Sequence, residues 1–182
     1  LREHSLEGQV FDFGGLTELH LPLLGEHQLH NAAVALTTLA VLQKRGWHIS
    51  EEDIRQGLSR VTWPGRFQII RRDPLFLIDG GHNPQCIQAL AQNITDYLPN
   101  RPLTVLTGVL GDKDYHCMYR SVADHAAEFI TVTPDNPRAL TARELAGYLS
   151  SFGKPVTPCD TVADGVRLAL AHAGKDGTIL CY

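Results

Sequence analysis

From Glu26 to Arg45 the apolar residues Leu29, Ala32, Ala33, Leu36, Leu39 and Ala40 return at three- and four-residue spacing, which predicts a long helix with Gly46 as its stop. Ser50 and Asp53 have the spacing of a capping box, and Ile54, Leu58 and Val61 carry the apolar face of a second helix. Ahead of both, residues 1–24 alternate in short pieces such as VFDFGG and ELHLPLL, the pattern of antiparallel strands and turns. Leu21, Leu23 and Leu24 are expected to leave apolar surface exposed there. The helical pattern ends at TWPGRF, where Pro64 and Gly65 break it, so the expected boundary separates residues 1–63 from residues 64–182.

Beyond the boundary the period changes. FQIIR and LFLID flank Asp73 and Pro74 and predict a hairpin. Helices are then expected over about 84–98, near 115–126, from Thr141 with Glu144, and over 161–173. They alternate with strands at LTVLTG, EFITVT, a short piece near Pro155, and TILCY. This alternation implies right-handed crossovers and an α/β fold, a mainly parallel sheet with flanking helices. Ligands of such sheets sit outside the carboxyl ends of the strands. Here those ends carry DGGHNP, GVLGDKD and TPDNPRAL, three loops rich in glycine, carboxylates, amides and arginine that converge on one edge.

Composition narrows the partners. A chain of 182 residues with 43% hydrophobic and 20% charged residues is ordinary for a globular protein. The formal charge of −4 and the lack of a basic run give no footprint for nucleic acid or an anionic membrane, and no long apolar span or signal peptide is visible. Cys86, Cys117, Cys159 and Cys181 have no C-x-x-C spacing and are expected as free thiols in a reducing, cytoplasmic setting. The nine histidines form no H-E-x-x-H, so no metal site is assigned.

Several stretches carry candidate chemistry. In DGGHNP, Asn83 suits an N-cap with Pro84 at the first helical position, which leaves backbone N–H groups to meet an anion or simply makes a well-capped turn. Asp79 ends the strand where a carboxylate can accept ribose hydroxyls, although it precedes the glycines. Arg66 follows the breaker pair, where a guanidinium can pair with phosphate or simply be a solvated arginine of a linker. Asp112, Lys113 and Asp114 can order a loop or meet a substrate carboxylate. Asn31, in GEHQLHNAA, offers both an acceptor and a donor, the combination that reads an adenine edge, or else belongs to ordinary helix capping and polar surface. No G-x-x-x-x-G-K-[ST] occurs, so the usual triphosphate cradle is absent from these residues, and no G-x-S-x-G nucleophile elbow occurs either.

In order, GEHQLHNAAVAL, PGRF, DGGHNP, GVLGDKD and TPDNPRAL resemble the folylpolyglutamate synthase and dihydrofolate synthase family of the Mur ligase superfamily, from about residue 19 to the end. The resemblance implies that residues 1–63 are the end of a central P-loop ATP-binding domain and that residues 64–182 are a Rossmann-like C-terminal domain. It implies an ATP- and Mg2+-dependent ligase that phosphorylates a carboxylate of dihydropteroate or folate and joins L-glutamate to the acyl phosphate. Motif by motif, Asn31 would contact adenine, Arg66 would hold phosphate and stabilise charge in transfer, Asp79 would bind the ribose, and His82 would touch nucleotide or intermediate. The P-loop domain and the magnesium ligands are expected outside these residues, which alone would be inactive. Another amino-acid ligase of the superfamily and a non-catalytic nucleotide-binding module are the competing readings.

Overall fold

The computed structural model describes residues Leu1–Tyr182, which form two compact units, Leu1–Arg66 and Phe67–Tyr182. In the first unit β1 (Glu3–Ser5), β2 (Gly8–Phe13) and β3 (Leu16–Leu21) make an antiparallel sheet in the order β1-β2-β3. Helices α1 (Glu26–Lys44) and α2 (Glu51–Ser59) follow. α2 opens with the predicted box: the Ser50 side chain accepts the Asp53 N–H while Asp53 accepts the Ser50 N–H. The core of this unit joins Phe11, Leu19 and Leu21 of the sheet to Ala32 and Leu36 of α1 and Ile54 of α2.

The expected exposed patch is corrected here. Leu21 and Leu24 are buried at 3% and 4% exposure, because they turn into the core of the sheet and the α1 entry. The large exposed apolar residues of this unit are instead Leu1, Trp47 and Trp63, with Val34 and Val41 of α1. α1 has no charged residue from His27 to Gln43, and its apolar residues occur on all sides, which explains why a single buried face does not account for it.

The second unit contains a six-stranded sheet in the order β4-β5-β9-β6-β7-β8. β4 (Gln68–Arg72) and β5 (Leu75–Ile78) pair as an antiparallel hairpin; β6 (Leu103–Thr107), β7 (Ala126–Thr131), β8 (Val156–Pro158) and β9 (Thr178–Cys181) run parallel to β5. α3 (Pro84–Tyr97), α4 (Tyr115–Val122) and α5 (Ala142–Leu149) carry the chain stepwise outward from β5 to β8, and α6 (Val162–Ala173) carries it back. Right-handed crossovers in opposite directions put α6 on the other face from α3, α4 and α5. Accordingly Ala169 of α6 packs with Phe76, Leu106, Ile130 and Ile179, while Tyr119 of α4 meets Phe129 of β7 and Tyr148 of α5.

The return through α6 inserts β9 between β5 and β6, so the strand order reverses beside β9. A crevice lies at the carboxyl ends of β5, β9 and β6, where Asp79, Thr107 and Tyr182 face one another. No helix is long and apolar enough to cross a membrane. The four cysteines are free.

Candidate functional site

Asn31 lies in the second turn of α1, whose entry is built by a buried glutamine. Gln9 Nε2 donates to Leu23 O at 2.7 Å and to Gly25 O at 3.1 Å, which fixes the chain where the helix begins. One turn on, Asn31 Nδ2 donates to Oε1 of the buried Gln28 at 3.1 Å, and Gln28 Nε2 lies 3.0 Å from His27 Nε2. The amide of Asn31 is thereby oriented while its carbonyl oxygen and second N–H stay available. Asn31 and Arg66 both line one cavity of about 590 Å³, whose walls include Leu39, Ile54, Leu58 and Trp63. An apolar cleft with an oriented amide and a guanidinium has the composition of a site for a flat base bearing an anionic group. Arg66 is exposed; its Nη1 donates to Gly65 O at 3.4 Å and no carboxylate pairs with it.

In the second unit Asp79 and His82 line a cavity of about 400 Å³ together with Thr107, Lys113, Tyr119 and Tyr182. It occupies the crevice at the ends of β5, β6 and β9. Asp79 Oδ1 accepts the Gly81 N–H at 2.7 Å and Oδ2 accepts the Phe67 N–H at 2.8 Å. A side chain at Gly81 would place its Cβ 2.8 Å from Asp79 Oδ1, so the second glycine of the motif is needed for space. His82 Nδ1 lies 3.0 Å from Gly80 O; a carbonyl only accepts, so Nδ1 carries the proton in this bond and Nε2 is left free of it. Asn83 Oδ1 accepts the Cys86 N–H at 2.9 Å with Pro84 behind it, the predicted cap of α3.

The three charges of GDKD divide their work. Asp112 pairs with Arg138, Lys113 lines the cavity, and Asp114 caps α4 by accepting the Cys117 N–H at 3.1 Å. The TPDNPRAL loop reaches the site only through this neighbour: Leu110 bridges Ala139, and Gly111 N donates to Arg138 O at 2.7 Å. Of the residues singled out from sequence, Asn31 and Arg66 therefore share one cavity and Asp79 and His82 share another, each pair in its own unit. No three His, Cys, Asp or Glu side chains converge to hold a metal ion.

Residues 65–182 match the Mur ligase, glutamate ligase domain. The chain belongs to the Mur ligase family. Among its curated relatives are the folylpolyglutamate synthase of Lacticaseibacillus casei, 38% identical over 147 residues, and the dihydrofolate synthase/folylpolyglutamate synthase of Escherichia coli, 33% identical over 170 residues. These alignments cover 78% and 92% of this chain but 33% and 37% of the relatives, so the chain spans well under half of their length. Among solved structures, Mycobacterium tuberculosis folylpolyglutamate synthase complexed with ADP superposes with a TM-score of 0.81 at 29% identity, covering 91% of this chain and 39% of that one. The mainly parallel sheet with flanking helices is thus the arrangement of this Mur ligase branch.

Motif reading of the second cavity misses its buried hydroxyls. Thr107 Oγ1 donates to Tyr182 O at 2.7 Å, which uses its one proton, so the Tyr119 hydroxyl donates to Thr107 across 2.7 Å. Burial pushes the Tyr119 phenol well above its ordinary range, partly opposed by the Thr107 hydrogen bond, and it stays neutral. Burial also raises Tyr182, whose hydroxyl has no hydrogen-bond partner. Tyr119 falls inside a helical pattern and Tyr182 at the end of a strand, positions where spacing alone reads as core. Only the insertion of β9 beside β6 brings them together.

Proposed function

We propose that this chain forms part of an ATP-dependent ligase that adds L-glutamate to a folate-type acid, dihydropteroate or a folate. The observation that carries this reading is the shared cavity of Asn31 and Arg66, which supplies an oriented amide for a base and an unpaired guanidinium for a phosphate beside apolar walls. The relatives' names supply the substrate class, and the ADP bound by the M. tuberculosis relative supports a nucleotide.

In this reading Asn31 holds the adenine edge and Arg66 the phosphates. Asp79 accepts a ribose hydroxyl through the lone pairs left by its backbone bonds, and His82 contacts the nucleotide or the intermediate. An acceptor carboxylate oxygen takes the terminal phosphoryl group as its bond to ADP breaks. The glutamate amine then attacks the activated carbonyl carbon, loses a proton and expels phosphate. Arg66 is the group that offsets negative charge as it builds in both steps. The triphosphate cradle and magnesium ligands belong to polypeptide beyond these residues, a P-loop domain, and the 182 residues alone are inactive. The four free thiols suit the reducing cytoplasm.

The test is ADP formation that requires both L-glutamate and a pterin acceptor, assayed in the longer polypeptide that joins this chain to a P-loop domain. Arg66→Ala should lower kcat/KM by about a hundredfold or more, the usual loss for one donor at a developing anion. Unchanged kcat/KM in Arg66→Ala and in Asn31→Ala together would remove the basis of the reading. Glutamate-dependent ADP release from the 182 residues alone would show that the essential groups lie among them.

A further inference from the structure

Asp79 ties together two segments that sequence alone leaves separate. Its two oxygens hold the N–H groups of Phe67 and Gly81, at 2.8 and 2.7 Å. The Phe67 N–H belongs to the same planar peptide as the Arg66 carbonyl, so the carboxylate fixes the peptide by which the chain passes from Arg66 into β4. This peptide needs holding. Phe67 has φ 42 and Gly65 has φ 73, so left-handed residues stand on both sides of Arg66, and at Phe67 the conformation is strained.

Two anchors oppose that strain. The Phe67 ring is 1% exposed and packs 6.0 Å from the Tyr97 ring, while the carboxylate takes its N–H. The Asp79 seat is itself shaped closely, since Gly81 leaves no room for a Cβ beside Oδ1. Arg66, in contrast, is exposed and its guanidinium reaches no carboxylate, so no ion pair fixes its direction and its one hydrogen bond is to the backbone oxygen of Gly65.

We propose that Asp79 is the positioning residue for Arg66: its carboxylate holds the Arg66–Phe67 peptide in the left-handed turn and so aims the guanidinium. This role is separate from any contact with a ribose, because each oxygen keeps a second lone pair. The phosphate that Arg66 meets rests on the nucleotide reading above; the clamp on the peptide does not.

Amide exchange and scalar coupling in the isotope-labelled 182-residue chain test the clamp without any ligand. A through-hydrogen-bond coupling from the Phe67 amide nitrogen to the Asp79 carboxyl carbon is expected in the unaltered protein. In Asp79→Asn the Phe67 amide should exchange about tenfold faster or more, as for loss of one hydrogen bond to a charged group, with the β6 and β7 amides unchanged. Absence of the coupling, or equal Phe67 exchange in both proteins, overturns the proposal, and the coupling decides the matter should Asp79→Asn fail to fold.

The positioning role is then read in the longer polypeptide with the P-loop domain, by comparing ATP with adenosine. Acting through Arg66, Asp79→Asn weakens ATP several-fold more than adenosine, and this excess vanishes in an Arg66→Ala background. A ribose contact alone weakens both ligands equally, which would overturn the positioning role. If neither ligand binds the unaltered protein, the nucleotide reading fails, and the coupling and exchange still decide the clamp.

Discussion

Arg138 Nη1 lies 2.5 Å from Asp112 Oδ2 and so joins the loop after β7 to the loop after β6. The backbone already makes the same connection, through the Leu110–Ala139 bridge and the bond from Leu140 N to Val109 O at 3.0 Å. Both side chains are largely in solvent, at 61% and 46% exposure, where an ion pair contributes little. Arg138→Ala should therefore change stability by less than about 1 kcal/mol in a urea titration, and the difference should shrink in high salt. A larger loss would mean that the pair, and not the backbone bridge, holds the two loops together.

The Asn83 cap is a stronger local device, because it satisfies an N–H that α3 leaves unpaired at the edge of the candidate site. Asn83→Ala should cost about 1 kcal/mol of stability, and Asn83→Ser or Asn83→Asp should recover most of it. Chemical denaturation of the three variants checks the order. The exchange of the Cys86 amide should rise with the loss, since that N–H gives its proton to Asn83.

Acid should loosen the starts of α2, α5 and α6. Hydrogen bonds from the hydroxyl and then the backbone of Ser50 hold Asp53 below its ordinary 3.8, and those of Thr141 hold Glu144 below 4.5. The Thr161 hydroxyl, then Arg167, does the same for Asp164. A carboxyl with a depressed folded value stabilises the fold above its unfolded value, and that contribution disappears as pH falls through the folded one. Stability should thus be flat down to about pH 5 and fall below it, as these carboxylates take up protons. Urea midpoints between pH 7 and 3 measure the fall, and Ser50→Ala with Thr141→Ala should make it shallower.

The elements of the fold were legible because each has a local cause. The Ser50–Asp53 and Thr141–Glu144 boxes, the Asn83–Pro84 start and the apolar strands name their own ends, and the structure places helices and strands accordingly. Strand order was not legible, since nothing in TILCY states that β9 enters between β5 and β6. For the same reason the Thr107, Tyr119 and Tyr182 cluster, drawn from β6, α4 and the chain end, left no spacing to read. The expected exposure of Leu21 fails for a related cause: its burial depends on how the sheet packs with α1, a long-range contact.

Val34 and Val41 give α1 an exposed apolar face, and substitution there should differ in effect from substitution at a buried leucine. Val34 is 68% exposed and Val41 47%, and the Thr37 and Thr38 hydroxyls between them are turned back to Ala33 O and Val34 O. Val34→Glu with Val41→Glu should leave stability within about 1 kcal/mol, because neither side chain leaves a core. Sedimentation velocity should show less self-association than in the unaltered chain. Leu21→Ala, in contrast, should cost about 2–5 kcal/mol, as for a buried leucine.

Gly165 sets how closely α6 approaches the sheet. A Cβ at this position would lie 2.5 Å from Val132 Cγ1 and 2.9 Å from Leu106 Cδ1, closer than packed carbons come. Helix propensity favours alanine over glycine by about 1 kcal/mol, so in an open helix the substitution would stabilise. Here overpacking costs about 1–3 kcal/mol and decides the sign, because the α6 backbone must lift from the β6 and β7 strands that end at the candidate site. Gly165→Ala should lower the unfolding free energy, and Gly165→Ala with Val132→Ala should recover part of the loss by removing the methyl it strikes. A stabilised Gly165→Ala would show that α6 has room to move, and that its contact with the sheet does not fix the position of β9.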